Sequence, residues 1–332
     1  MRNLIHIALA ADSNYILPIT VALQSIFAQN PGMELHIYLL FIEQTLNEKD
    51  QNYISSFVTG KGGHFHALEV KNSDLNVFPD TRHGKATLLR LYLPEMLPGL
   101  HKILYLDGDI VVTDRLDELY HTDIDNYYLA AVKDSTSGYG REYQKRIGIN
   151  ESHWYFNAGV TLLNLDSLRA INLPEKVAHF AKKYYDRIVA PDQDALNYIC
   201  QERKVYYLHP RYNMNYAVEK DIARHVWGKQ SIKEAKEAPA IIHFIGPVKP
   251  WSILSVHPCR KYWWRALQQT PFAQYRCKDS CLRNYIRRCF LQITKPVEAQ
   301  FTVSSKKQIG KLIPSGLKRG IKKSLLKPLQ NF

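Results

Sequence analysis

The chain has 332 residues, 45% of them apolar, and a formal net charge of +13. That length holds one large α/β domain with an appendage, or two domains, and no run of about 18 apolar residues marks a membrane-spanning helix. The five cysteines (Cys200, Cys259, Cys277, Cys281 and Cys289) are odd in number and do not resemble a disulfide framework, so a reducing, cytoplasmic setting is expected.

Leu4 to Ala10 is apolar enough to imitate a short signal peptide, but His6 interrupts it and only Arg2 precedes it, so it reads as a buried first strand. Asn14 to Gln29 reads as a helix and Glu34 to Ile42 as a second strand. Thr45-Leu46-Asn47-Glu48 has the form of a capping box opening the next helix. His64 to Val70 reads as strand, Lys85 to Met96 as a helix punctuated by Pro94, and Lys102 to Leu106 as an apolar strand. Such alternation predicts an α/β fold with a mostly parallel sheet covered on both faces, its ligands beyond the carboxyl ends of the strands. Neither a Gly-x-Gly-x-x-Gly after the first strand nor a Gly-x-x-x-x-Gly-Lys is present, which removes the main support for a dinucleotide oxidoreductase or a P-loop enzyme.

Charge divides the chain. Residues 277–332 hold thirteen Lys and Arg against two acids, hence +11, leaving +2 for residues 1–276. Leu282, Tyr285, Ile286, Cys289, Phe290 and Ile293 form one helical stripe with Arg283, Arg287 and Arg288 off it. Leu317, Ile321 and Leu325 repeat every four residues among basic neighbours. Basic amphipathic helices of this kind lie on anionic membranes, so 277–332 is expected to be a membrane-association segment appended to a nearly neutral domain, 1–276. A helix packed on the core remains the other reading of 282–293. No nucleic-acid-binding motif accompanies the basic tail.

Asp107 and Asp109 flank Gly108 at the end of the apolar Lys102–Leu106 run. Two carboxylates this close are costly to bury unless a cation sits between them, and oxygen ligands suit Mg²⁺ or Mn²⁺. Far along the chain, Ile241-Ile242-His243 is followed by Gly246-Pro247-Val248-Lys249-Pro250-Trp251. A neutral imidazole can complete a metal site, a lysine can meet phosphate, and glycine admits a ligand to the backbone.

These motifs, with Ala10-Ala11-Asp12-Ser13-Asn14-Tyr15, Arg90, Phe156-Asn157-Ala158-Gly159-Val160 and Asp192-Gln193-Asp194, stand in the order of glycosyltransferase family 8. Over residues 4–270 the chain resembles that family's bacterial lipooligosaccharide and lipopolysaccharide galactosyl- and glucosyltransferases. The resemblance implies a GT-A type nucleotide-diphospho-sugar transferase fold, a single mostly parallel central sheet flanked by helices, and a basic helical C-terminal extension. It implies a UDP-hexose donor, with galactose slightly favoured over glucose, and a saccharide or glycolipid acceptor. Asp107, Asp109 and His243 would bind Mn²⁺ or Mg²⁺. Ala10, Asp12 and Asn14 would hold the uridine end, Arg90 and Gly108 the donor, and Gly246 and Lys249 its phosphates. Asn157, Asp134, Asp192 and Gln193 would line the sugar pocket. Gln193, an amide, is a poor nucleophile, so retention by attack from the leaving-group face is expected, with Asp192 as the alternative. The implied setting is the inner face of the cytoplasmic membrane. A glycoprotein acceptor and a sugar-nucleotide nucleotidyltransferase are the rival readings; the latter usually carries a Gly-rich basic loop where Asp12-Ser13-Asn14-Tyr15 stands.

Overall fold

The computed structural model describes residues 3–79, 84–134, 140–201, 204–215 and 224–289. The chain divides into two units, Met1–Cys277 and Lys278–Phe332.

The first unit is built on strands β1 (Leu4–Ala10), β2 (Glu34–Ile42), β3 (His64–Val70), β4 (Lys102–Leu106), β5 (Ile110–Val112), β6 (Leu129–Lys133), β7 (Phe156–Asn164), β8 (Val205–Tyr207) and β9 (Ile241–His243). Seven of them form one sheet in the order β3-β2-β1-β4-β7-β6-β8. β1 to β4 run parallel, β7 lies antiparallel between β4 and β6, and β8 is parallel to β6. The expected mostly parallel α/β sheet is therefore present, with one reversed strand at its centre. Ile5, Ile7 and Leu9 are fully buried under the helices Ile16–Gln29 and Glu48–Gly60, while Tyr38, Leu40 and Tyr105 face the opposite layer with Leu89 and Phe180. Burying both faces explains the near-continuous apolar strands.

Two local expectations need correction. Asn47, not Thr45, caps the second helix: its side-chain oxygen accepts the Asp50 N–H at 2.9 Å, while the Thr45 hydroxyl donates to the Ile42 carbonyl. Lys85–Tyr92 winds as 3-10 turns before a short α-helical turn at Leu93–Met96. Pro94 has no N–H to give the Arg90 carbonyl, so one continuous α-helix is ruled out there.

A second, two-stranded sheet carries the chemistry. β5 pairs antiparallel with β9, placing Ile110 opposite His243. A single bridge from Met214 to Ile242 extends this pairing. It brings the 3-10 turn Pro210–Asn213 alongside.

In the second unit, residues 282–289 are helical, and Leu282, Tyr285 and Ile286 are exposed. The rest of the expected stripe, Phe290 and Ile293, and the repeat at Leu317, Ile321 and Leu325 lie outside the described residues.

Candidate active site

Asp107 follows β4 and Asp109 precedes β5, so the two acids sit at the carboxyl end of a central strand. His243, at the end of β9, presents Nε2 at 3.5 Å from Asp107 Oδ2 and 3.3 Å from Asp109 Oδ1. The ligand atoms of all three residues lie within 4.8 Å of one another.

The polarity of His243 is fixed by backbone donors two steps away. The Gly159 N–H donates to Asn157 Oδ1 at 3.0 Å, which makes that atom the oxygen; Asn213 Nδ2 then donates to the same oxygen at 2.8 Å. Asn213 Oδ1 is left to accept from His243 Nδ1 at 2.9 Å. In the neutral imidazole the proton therefore resides on Nδ1, which leaves the Nε2 lone pair to face the two carboxylates. Three electron-rich groups converging in a largely buried place repel one another unless a cation stands among them. The donor set, two carboxylates and one imidazole, fits a hard or borderline divalent ion such as Mg²⁺ or Mn²⁺.

Two of the chain's own cations flank this cluster. Lys249 Nζ donates to Asp109 Oδ2 and to the Phe244 carbonyl, the latter at 3.0 Å. Burial pushes the Asp109 carboxyl up, but the Lys249 ammonium beside it outweighs burial and holds the group well below the usual carboxylate range. Arg90 is only 2% exposed and bridges Asp107 at 2.8 Å and Asp192 at 3.0 Å, with its guanidinium over the Tyr105 ring. It also donates to the Ala158 carbonyl. Arg90 thus ties the acid pair to the helix Pro191–Ile199, and Asp192 is spoken for by that cation.

Gln193, on the same helix, joins the network. Its Oε1 accepts from Ala158 N at 3.0 Å and Asn157 Nδ2 at 3.2 Å, and its Nε2 donates to Asp134 Oδ2 at 3.3 Å. A continuous path runs from His243 through Asn213, Asn157 and Gln193 to Asp134. Asp194 has a supporting part: buried, it accepts from the hydroxyls of Tyr143 and Tyr155, each at 2.5 Å, and from the backbone of Val189 and Ala190. Those bonds seat the start of the helix that presents Asp192 and Gln193.

Ala10, Asp12 and Asn14 stand at the carboxyl end of β1, where Asp12 Oδ1 accepts the Asn14 N–H at 2.8 Å. Tyr15 lies between that turn and the acid pair. Burial raises its hydroxyl pKa, and Asp109, Asp107 and Asp12 raise it further. A side chain on Gly108 would meet Ile19 at 2.8 Å and Tyr15 at 3.0 Å. Gly246 has a φ of 94°, a conformation glycine adopts readily.

Two site residues escaped the sequence reading of individual roles. Asn213 gave no signal, because an asparagine in the Pro210–Asn213 turn stands in no recognisable motif and meets His243 only through the fold. Gly159 did: a glycine inside a fully buried strand implies close approach of another group. A Cβ there would fall 2.2 Å from His243 Cε1 and 2.5 Å from Asp107 Oδ2.

Comparison with known proteins bears on the family and the fold. The profile described as glycosyl transferase family 8 matches residues 6–254. General stress protein A of Bacillus subtilis is 28% identical over 275 residues, covering 81% of this chain and 94% of that protein. Lipopolysaccharide 1,2-glucosyltransferase of Escherichia coli is 24% identical over 279 residues, covering 83% and 81% respectively. The crystal structure of the galactosyltransferase LgtC with donor and acceptor sugar analogs superposes with a TM-score of 0.73 at 28% identity, covering 80% of this chain and 96% of that one. On the extent of the profile match, the chain belongs to glycosyl transferase family 8.

Proposed function

We propose that this glycosyltransferase moves a hexose from a UDP-sugar to a saccharide acceptor with retention, galactose slightly ahead of glucose, the acceptor being a lipooligosaccharide or lipopolysaccharide core glycan. The observation that carries the reading is the convergence of Asp107, Asp109 and the Nε2 lone pair of His243 at the carboxyl end of the sheet. That cluster is where a Mn²⁺ or Mg²⁺ ion would be held. Similarity to an LPS glucosyltransferase and to LgtC supports the donor and acceptor classes.

A bound divalent ion would supply charge to the diphosphate as it leaves. The chain's residues do the rest. Lys249, held beside Asp109 and 22% exposed, is the cation placed to meet a phosphate oxygen, and electrostatic stabilisation of this kind is commonly the largest catalytic contribution. Asp12 and Asn14 bind the uridine end at the adjacent β1 turn. Asn157, Asp134 and Gln193 orient the hexose. Arg90 acts as a positioning residue, because its guanidinium is already engaged by Asp107, Asp192 and the Ala158 carbonyl.

Asp192 is 5% exposed and paired with Arg90, which makes it a poor nucleophile for a covalent intermediate. We therefore favour attack on the leaving-group face, with an oxygen of the departing UDP taking the acceptor proton. Residues 277–332 serve as the attachment to an anionic membrane surface, on the cytoplasmic side. Hydrolysis of UDP-Gal and UDP-Glc, each with Mn²⁺ and with EDTA, tests the core of this reading. Turnover of one hexose donor that EDTA abolishes supports it; turnover of neither donor, or full turnover in EDTA, overturns it.

A further inference from the structure

At the opposite end of the sheet from the acid pair, histidines line up across three neighbouring strands. His6 on β1 is in register with His36 on β2, and His36 with His64 on β3. Glu34 lies two residues before His36 and His66 two after His64, so all five side chains share one face. From His6 to Asp12 is six residues of extended chain, about 20 Å, so this cluster is remote from the catalytic one.

Its geometry is that of a ligand set. Glu34 Oε1 lies 3.2 Å from His36 Nε2 and 3.7 Å from His64 Nε2, and the ligand atoms of the three residues fall within 4.8 Å of one another. Ligands about 2.0–2.1 Å from a tetrahedral ion are separated by about 3.3 Å, so closing the set needs only rotation of side chains that are half-buried or exposed. The far nitrogen of His36 is provided for: Nδ1 lies 3.1 Å from His66 Nε2. When Nδ1 carries the proton and donates it to His66, the Nε2 lone pair points at Glu34, the orientation a metal ligand requires. The rings are in contact, His36 tilted by 31° against His64 at 4.4 Å and His66 stacked on Tyr38 at 4.4 Å, which keeps them together on the sheet face.

We propose that Glu34, His36 and His64 form a second metal site, selective for a borderline divalent ion of the Zn²⁺ class rather than Mg²⁺. Two imidazoles and one carboxylate suit that class, whereas Mg²⁺ prefers oxygen ligands. β3 is the edge strand of the sheet. An ion held by Glu34 and His36 of β2 and His64 of β3 would pin the edge strand to its neighbour.

The test is a Zn²⁺ titration of the full chain carrying Asp107→Asn, which weakens the catalytic cluster, by calorimetry at pH 7.5. One tight equivalent is expected. Adding His64→Ala or the near-isosteric Glu34→Gln should weaken it at least tenfold, and Zn²⁺ should raise the melting temperature of the parent but not of these variants. His64 is exposed on an edge strand, and Glu34→Gln keeps its shape, so both variants should fold. In the otherwise native chain, His64→Ala should turn over donor normally. Absence of a tight equivalent, or binding that survives both substitutions unchanged, would overturn the site.

Discussion

Gly159→Ala puts the most demanding test on the geometry of the acid–histidine cluster. The added methyl would lie 2.2 Å from His243 Cε1 and 2.5 Å from Asp107 Oδ2. Ordinary carbon contacts sit at about 3.5–4.0 Å, so something must retreat by more than about 1 Å. β7 is buried along its whole length and paired on both sides, so the two side chains yield before the strand does. Misplacing a reacting constellation by about 1 Å costs roughly 100-fold, about 2.7 kcal/mol. We expect kcat/KM for donor turnover to fall at least that far, with a rise in the Mn²⁺ concentration for half-maximal activity. Overpacking should also cost about 1–3 kcal/mol of stability, read as a lower melting temperature by circular dichroism. Gly63→Ala is the matched control. Its methyl would meet Phe27 at 2.6 Å at the other end of the sheet, so it should lower stability and leave the metal dependence alone. Native turnover in Gly159→Ala, or an equal activity loss in Gly63→Ala, would refute the reasoning.

Asp107→Asn and Asp109→Asn should each abolish metal-dependent turnover with the fold retained by circular dichroism; activity in both variants would remove the acids from the metal account. Asn213→Ala should weaken Mn²⁺ binding about 10–100-fold, because it frees the His243 ring whose tautomer it sets; calorimetry indistinguishable from the parent would reduce Asn213 to packing. Gln193→Ala should slow transfer severely while UDP binding persists, and lost UDP binding would move Gln193 to the nucleotide pocket. Deleting residues 278–332 should leave a folded enzyme that turns over donor but no longer binds anionic vesicles, and binding by the intact chain should fall with salt. Vesicle binding that survives the deletion would relocate the membrane surface.

How much the sequence disclosed depended on how local each signal was. β1, β2 and β4 lie where the sequence has its apolar runs, because strands buried on both faces need near-continuous hydrophobic sequence and their flanks carry Asn, Pro, Gly and Asp; the edge strand β3, with only Val70 buried, lacks that signal. Asp107 and Asp109 stood out for the same reason: acids at the end of such a run demand a partner. The helix cap was misassigned because Thr45 and Asn47 are equally plausible caps in sequence, and only the fold gives the Thr45 hydroxyl another acceptor. His243 was legible from its motif, but its tautomer was not. That depends on Asn213, which reaches His243 only because Met214 bridges Ile242. The guanidinium of Arg90 likewise could not be read as an internal clamp, since Asp107 and Asp192 are distant from each other in sequence. Histidines 6, 36, 64 and 66 gave no motif either; parallel register alone aligns them.

The most direct test of retaining hexose transfer is the configuration of the linkage made from an α-linked UDP-hexose, read by proton NMR of the product formed with Mn²⁺. An α anomeric signal is the predicted result. A β signal would contradict the front-face mechanism and the role given to Gln193 together.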